Sequence, residues 1–216
     1  MEFQDWGLID YQEALKRQEE LVETVATEQS AGVLVFCTHP AVITLGRKTQ
    51  AGDVFGWQGP ILEISRGGRA TYHGPSQLVV YPIYNLSFAR KGKLTRDIAW
   101  YLRTLESVIV ATLADYGVTA VGRSLQKKAA TDTGEDETGV WVDQQKVASL
   151  GIGVRKWVSY HGAAINLDQD PQAFTGMKPC GFSKETMVSL QELLGGGPVD
   201  RHEFALKLKT KILAAL

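Results

Sequence analysis

The run Gly32 to Cys37, GVLVFC, is almost continuously apolar and rich in β-branched residues. It is far too short to cross a bilayer, which takes roughly 20 apolar residues. Successive side chains of a strand point to opposite faces, so a strand with no polar position predicts burial on both faces. Whatever fold the chain adopts must cover this strand from two sides. At 216 residues, 44% of them hydrophobic and 22% charged, the chain falls in the range of a single globular domain with a core of that size.

The flanking patterns supply candidates for the cover. From Asp10 to about Gln29, Ala14, Leu15, Leu21, Val22 and Val25 fall on one side of a 3.6-residue period, predicting an amphipathic helix. Thr95 is placed to cap a second helix running through Tyr116, with Ile98, Leu102, Leu105, Ile109 and Leu113 on one face and Gly117 as its stop. Strands are predicted at Ile61 to Ser65 and Leu78 to Leu86, on either side of the glycine-rich stretch RGGRATYHGPSQ that starts at Arg66. The segment GVWVDQQKVASLGIGVR reads as a hairpin turning near Asp143 to Gln145, with Lys146 opening its second strand, and VSYHGAAINL reads as a third strand beside it. Ser124 to Thr138 nearly lacks large apolar residues and reads as a surface loop. Asp170 with Pro171 predicts a short helical turn ending near Gly176, and Asp200 with Glu203 predicts a capping-box start for a last helix.

The formal net charge of -1 argues against a broad nucleic-acid surface, which carries a strongly basic balance. The N-terminus has neither the basic-then-apolar shape of a signal peptide nor that of a transit peptide, and no apolar run is long enough for a membrane span. A cytoplasmic protein without membrane contact is the expectation. Two cysteines exclude a disulfide scaffold, and in a reducing compartment Cys37 and Cys180 are read separately.

Cys37 lies within the apolar strand, where a thiol is buried, protonated and inert. Cys180 sits between Pro179 and Gly181 in a predicted loop, rigid on one side and open to close approach on the other. A thiol ionises near pH 8.5 in isolation, so a nucleophilic Cys180 needs a nearby cation, for which Lys146 is a candidate and a solvated turn lysine the plainer reading. His73 and His161 occur in two similar Tyr-His-Gly triplets and could serve as the base of a thiol protease or as structural groups. No His or Cys pair has the close spacing of common zinc sites. Gly67 and Gly68 between Arg66 and Arg69 could cradle an anion, but neither a P-loop nor a dinucleotide fingerprint is present.

The blocks HPAVITLGR from His39, RGGRATYHGPSQLVVYP from Arg66, KVASLGIGVR from Lys146, SYHGAAINL from Ser159 and MKPCGF from Met177, in this order, resemble the lipoyl(octanoyl) transferase family. The resemblance implies an α/β fold, a mixed β-sheet with flanking helices like the biotin and lipoate protein ligase catalytic domain, in a single domain over residues 1–216. It implies transfer of an octanoyl group from octanoyl-acyl carrier protein to a lysine of lipoyl domains, those of 2-oxoacid dehydrogenase complexes and the glycine cleavage H protein. Carried over by position, Cys180 is the acyl-accepting cysteine and Lys146 the lysine that favours its thiolate. The substrate-binding segments become Arg66, Gly67, Gly68, Arg69, Ala70, Thr71, Tyr72 and His73, then Ser149, Leu150 and Gly151, then Gly162, Ala163 and Ala164. No metal or cofactor is implied, and a monomer is expected.

Two departures stand out: Ser76 occupies a position where the family usually has glycine, and the 124–138 loop is longer than usual. Thioester exchange followed by amide formation needs no ATP, and backbone N–H groups near Cys180 or Gly151 would face the oxyanion. Arg90, Lys91, Lys93 and Arg96, or Arg47 and Lys48, would offer a basic face to an acidic carrier protein. The alternatives are an ATP-dependent lipoate or biotin protein ligase, which would not require Cys180, and a non-catalytic acyl-binding or lipoyl-domain-binding protein.

Overall fold

A computed structural model describes residues 1–28, 30–88, 95–124 and 135–216. Its first half runs β1 (Glu2–Leu8), α1 (Tyr11–Glu28), β2 (Gly32–Thr38), β3 (Val42–Leu45), β4 (Ile61–Glu63), β5 (Thr71–His73) and β6 (Gln77–Tyr84). Its second half runs α2 (Ile98–Ala114), β7 (Val121–Gly122), β8 (Gly139–Val142), β9 (Gln145–Arg155), β10 (Val158–Asn166), α3 (Leu190–Leu193) and α4 (Arg201–Ala215). Seven strands form one mixed sheet in the order β1-β2-β6-β10-β9-β8-β7, parallel between β1 and β2 and antiparallel elsewhere. A second sheet, β4-β3-β5, stands beside it.

The demand made by GVLVFC is met by alternation. Leu34 and Phe36 point to the face covered by α2 and α4, through Tyr101, Leu105, Phe204 and Leu208, while Val33, Val35 and Cys37 point to the face covered by α1. In β6, Leu78, Val80 and Tyr84 join the first face and Val79, Tyr81 and Ile83 the second. Burial near these levels stabilises by about 1.5–3 kcal/mol per large aliphatic side chain.

The α1 face carries one polar position. Gln18 lies fully buried among Ala14, Val22 and Val25, and its Oε1 accepts the His161 N–H at 2.8 Å. His161 has φ 58°, which turns its amide away from regular strand pairing, and Gln18 supplies the acceptor. β9 and β10 join through Lys156 and Trp157, both at positive φ, as a two-residue hairpin turn demands.

Several boundaries differ from the sequence reading. α2 is capped by Asp97, whose side chain accepts the Trp100 N–H, and not by Thr95. Asp170 does accept the Gln172 and Ala173 N–H groups, but the chain beyond it forms a turn and not a helix. Asp200 caps α4 by accepting the Glu203 N–H, whereas the complete capping box belongs to Ser189 and Glu192 at α3. Ser76 needs no glycine-like backbone: its φ is not positive, and its carbonyl accepts the Leu167 and Asp168 N–H groups. Most of the 124–138 loop, and Arg90, Lys91 and Lys93, lie outside the described residues.

Candidate active site

A pocket opens on the α1 side of the main sheet, between β9 and β10, strand β5 of the small sheet, and Tyr11 at the start of α1. Period-two alternation decides which residues of the glycine-rich segment face it. Thr71 and His73 line the pocket, while Ala70 and Tyr72 turn the other way into a cluster with Trp57, Phe174 and Met177. From the other segments, Ser149, Leu150, Gly151, Gly162, Ala163 and Ala164 all line it, as do Arg66 and Gly68; Gly67 and Arg69 do not.

Cys180 lines the same pocket. It sits in a single 3-10 turn, Pro179–Gly181, with φ 55° and ψ 19°, a left-handed conformation that costs a non-glycine residue about 1–2 kcal/mol. Fixed contacts impose it. The Cys180 N–H donates to the Ala70 carbonyl at 2.8 Å, its carbonyl accepts the Asp136 N–H at 2.9 Å, and the Lys178 N–H donates to the Asp53 carbonyl at 2.7 Å. The thiol lies 4.0 Å from the Ser149 hydroxyl. With the Cys180 N–H held by Ala70 and the Gly181 N–H held by Lys178, the backbone donors expected at Cys180 are already engaged. Thr71 Oγ1, Arg66 Nε and the ring nitrogens of His73 and His161, buried on pocket-lining residues with no hydrogen-bond partner among the described residues, are the polar groups left over.

Lys146, the second residue of β9, is fully buried. A buried ammonium needs compensation; among the described residues it donates one hydrogen bond, to the Asp136 carbonyl at 2.8 Å, with the rings of Trp141 and Phe182 at 5.4 and 5.8 Å. Lys146 and Cys180 make no direct hydrogen bond; Asp136 joins them, carbonyl to one and N–H to the other. A second cation stands nearby. Arg69 lies against Gly181, and its pKa is pushed up chiefly by its hydrogen bonds to Asp53, then by the charges of Asp53, Cys180 and Glu135.

The far end of the pocket is aromatic. His73 stacks on Tyr11 with ring centroids 5.3 Å apart, and Tyr81 donates to or accepts from His39 Nε2 at 2.7 Å behind them. Burial pushes His73 well below the usual histidine range and His161 down to about 3, with Arg66 adding to both; burial raises Tyr11 to about 12. Neutral imidazoles so placed are poor candidates for thiol-protease bases, and neither is hydrogen-bonded to Cys180. Cys37 is buried, and its thiol is pushed up by that burial. Among the described residues no group of three His, Cys, Asp or Glu side chains could hold a metal, and no helix is long and apolar enough to cross a membrane.

Tyr11, Tyr81 and Asp136 were not anticipated from sequence. The tyrosines gave a usable signal, a polar-tipped ring on a buried face; Asp136 gave none.

Residues 10–213 match the family model described as the lipoyl protein ligase A/B catalytic domain. An octanoyltransferase of Bdellovibrio bacteriovorus is 59% identical over 215 residues, covering 99% of this chain and 98% of that protein. Among solved structures, a bipartite lipoate protein ligase of Thermoplasma acidophilum, studied with its E2 lipoyl domain, superposes with TM-score 0.66 at 17% identity over 100% of this chain and 84% of its own. The biotin protein ligase of Aquifex aeolicus in complex with biotin and ATP superposes with TM-score 0.57 at 14% identity, over 99% and 69% of the two chains. At such identities the two structures establish the α/β fold with its mixed sheet, while the closer sequence match carries the activity. The chain belongs to the lipoyl protein ligase A/B catalytic-domain family and, within it, to the octanoyltransferases, acyltransferases that serve protein lipoylation.

Proposed function

We propose that Cys180 carries the octanoyl group as a thioester between a donor and an acceptor. The observation that bears most weight is that the one cysteine lining the pocket is held at its wall by hydrogen bonds at both its N–H and its carbonyl, in a conformation the free chain disfavours. Octanoyl-acyl carrier protein is the donor, and a lysine of a lipoyl domain, in 2-oxoacid dehydrogenase complexes or the glycine cleavage H protein, is the acceptor. The Cys180 thiolate attacks the donor thioester, the carrier thiol leaves, and the acceptor amine then takes the acyl group from Cys180. Arg69 and Lys146 flank the thiolate as cations. The chemistry proceeds without ATP.

The pocket wall matches an eight-carbon chain in length, and the cavity, about 30 Å³ as it stands, must widen to admit one. Three residues of extended backbone separate Ala70, which holds Cys180, from His73, which meets Tyr11 at the far end; that is about 10 Å. A zigzag of seven bonds of about 1.5 Å advances roughly 9 Å. Arg47 and Lys48 are exposed beside the pocket, their N–H groups bonded to the Arg66 and Gly68 carbonyls, and offer the acidic carrier a basic edge. We take the chain to act as a single catalytic domain, monomeric and cytoplasmic.

Intact mass after incubation with octanoyl-acyl carrier protein tests the reading. Wild type gains one octanoyl group and Cys180→Ser gains none; an unmodified wild type, or turnover that requires ATP, points instead to the ligase alternative.

A further inference from the structure

We propose that the Asp136 carboxylate is the binding group for the incoming acceptor amine, a primary alkylammonium. This rests on the acyl-enzyme reading above. The backbone of Asp136 is fully committed, its N–H to the Cys180 carbonyl and its carbonyl to Lys146 Nζ, so the residue cannot shift without moving both. The segment that carries it is pinned in turn: the Glu137 carbonyl accepts the Trp141 indole N–H at 2.8 Å, and the Gly139 N–H donates to the buried Glu106 carboxylate at 3.2 Å.

The side chain is thereby aimed. Its Oδ1 accepts the Thr138 N–H at 3.1 Å, while its Oδ2 lies against Gly68, where an added Cβ would come within 2.8 Å. Gly68 thus leaves room for a carboxylate in the wall of the same pocket that Cys180 lines. A carboxylate beside a site for a thiolate nucleophile hinders the first half of the reaction by like charge. Its presence is accounted for by the second half, when the thiol is acylated and uncharged and the partner is a lysine side chain, cationic at neutral pH.

The carboxylate draws the ammonium to the thioester and orients its nitrogen. One proton leaves the ammonium for solvent. The nitrogen then forms its bond to the acyl carbon as the carbon–sulfur bond breaks, and the second nitrogen-bound proton passes to the departing sulfur, regenerating the Cys180 thiol. Atoms and charge balance without a further reactant.

Asp136→Asn retains both backbone contacts and the Oδ1 acceptor while removing the charge. Purified octanoyl-enzyme is discharged with a lipoyl domain and, separately, with hydroxylamine, a nucleophile neutral at pH 7.5. In the variant, KM for the lipoyl domain should rise on the order of tenfold or more relative to any change in hydroxylamine discharge. Equal losses with both nucleophiles, or no loss with the domain, would overturn the inference; a wild type that takes up no octanoyl group would sink the acyl-enzyme reading beneath it. Should the variant fail to fold, wild type decides: discharge by a small alkylammonium, relative to hydroxylamine, must weaken as salt is raised. A salt-insensitive ratio refutes the role.

Discussion

Asp53 holds Arg69 with both carboxylate oxygens, Arg69 Nε donating at 3.0 Å, while its own main-chain carbonyl receives the Lys178 N–H at 2.7 Å. One residue therefore fixes a cation beside Cys180 and the loop that carries Cys180. Both partners are buried, so removing the Asp53 carboxylate takes two charge-assisted hydrogen bonds from a buried guanidinium. Asp53→Ala is expected to destabilise the protein by about 3 kcal/mol, in the range for losing hydrogen bonds to a charged group, measured by urea denaturation, and to slow acylation beyond what the loss of folded protein explains.

Replacing Lys146 tests the other cation. Lys146→Met keeps the stem packed beneath Trp141 and Phe182 but removes the ammonium that the Asp136 carbonyl accepts. Alkylation of Cys180 by iodoacetamide at neutral pH should slow by roughly tenfold. An unchanged rate would assign thiolate support to Arg69 alone.

Legibility differed by how local each signal was. GVLVFC announced its two-sided burial because alternation is written into consecutive residues, and the hairpin of β8 and β9 followed from its own pattern. β1 escaped notice because it is an edge strand, half exposed and polar, and is paired in parallel only through α1 as its crossover. β3 is four residues long and gains its meaning from β4 and β5, which are remote in sequence. The capping box at Ser189 and Glu192 was readable as Ser-x-x-Glu, yet the helix it starts is only one turn long. Cys180 and Lys146 were candidates from their local patterns and gained their roles through the resemblance; that they share Asp136 was not legible, because the junction runs through the main-chain N–H and carbonyl of Asp136, which are the same for every residue type.

Acid should weaken the fold through its neutral histidines. His161, down at about 3 in the folded chain against an ordinary 6.5, takes up its proton in the unfolded chain first as pH falls. The unfolded state then binds more protons than the folded one, so stability is fully present above 6.5 and declines between 6.5 and about 3, by up to about 1.4 kcal/mol per pH unit. His73, shifted in the same direction, steepens the loss. In His161→Asn, a residue tolerant of positive φ, urea midpoints measured from pH 7.5 to 5 should vary less than in wild type.

Two glycines of the pocket wall should separate folding from function. A Cβ on Gly162 would stand 2.1 Å from the Val80 carbonyl oxygen, backbone that cannot yield, and Gly162→Ala should destabilise by about 3 kcal/mol or more. A Cβ on Gly151 meets Arg66 Cδ and the Gly67 carbonyl at 3.2 Å. Gly151→Ala should fold, with the melting temperature falling by only a few degrees, but should accept an octanoyl donor less well than a butyryl one, read by intact mass over time.

The Glu106 carboxylate accepts the Ser124 N–H at 2.8 Å, the Ser124 hydroxyl at 2.6 Å and the Gly139 N–H at 3.2 Å. A single side chain from α2 thus ties Ser124 to Gly139, fifteen residues apart in sequence. Lengthening a chain between two fixed ends costs only about 0.6 kcal/mol per doubling, so residues inserted between Ser124 and Glu135 should leave Asp136, Lys146 and Cys180 where they are. An engineer wanting to graft a fluorescent tag or a partner-recruiting peptide next to the reaction centre has a port there, and Glu106 is the residue to leave alone.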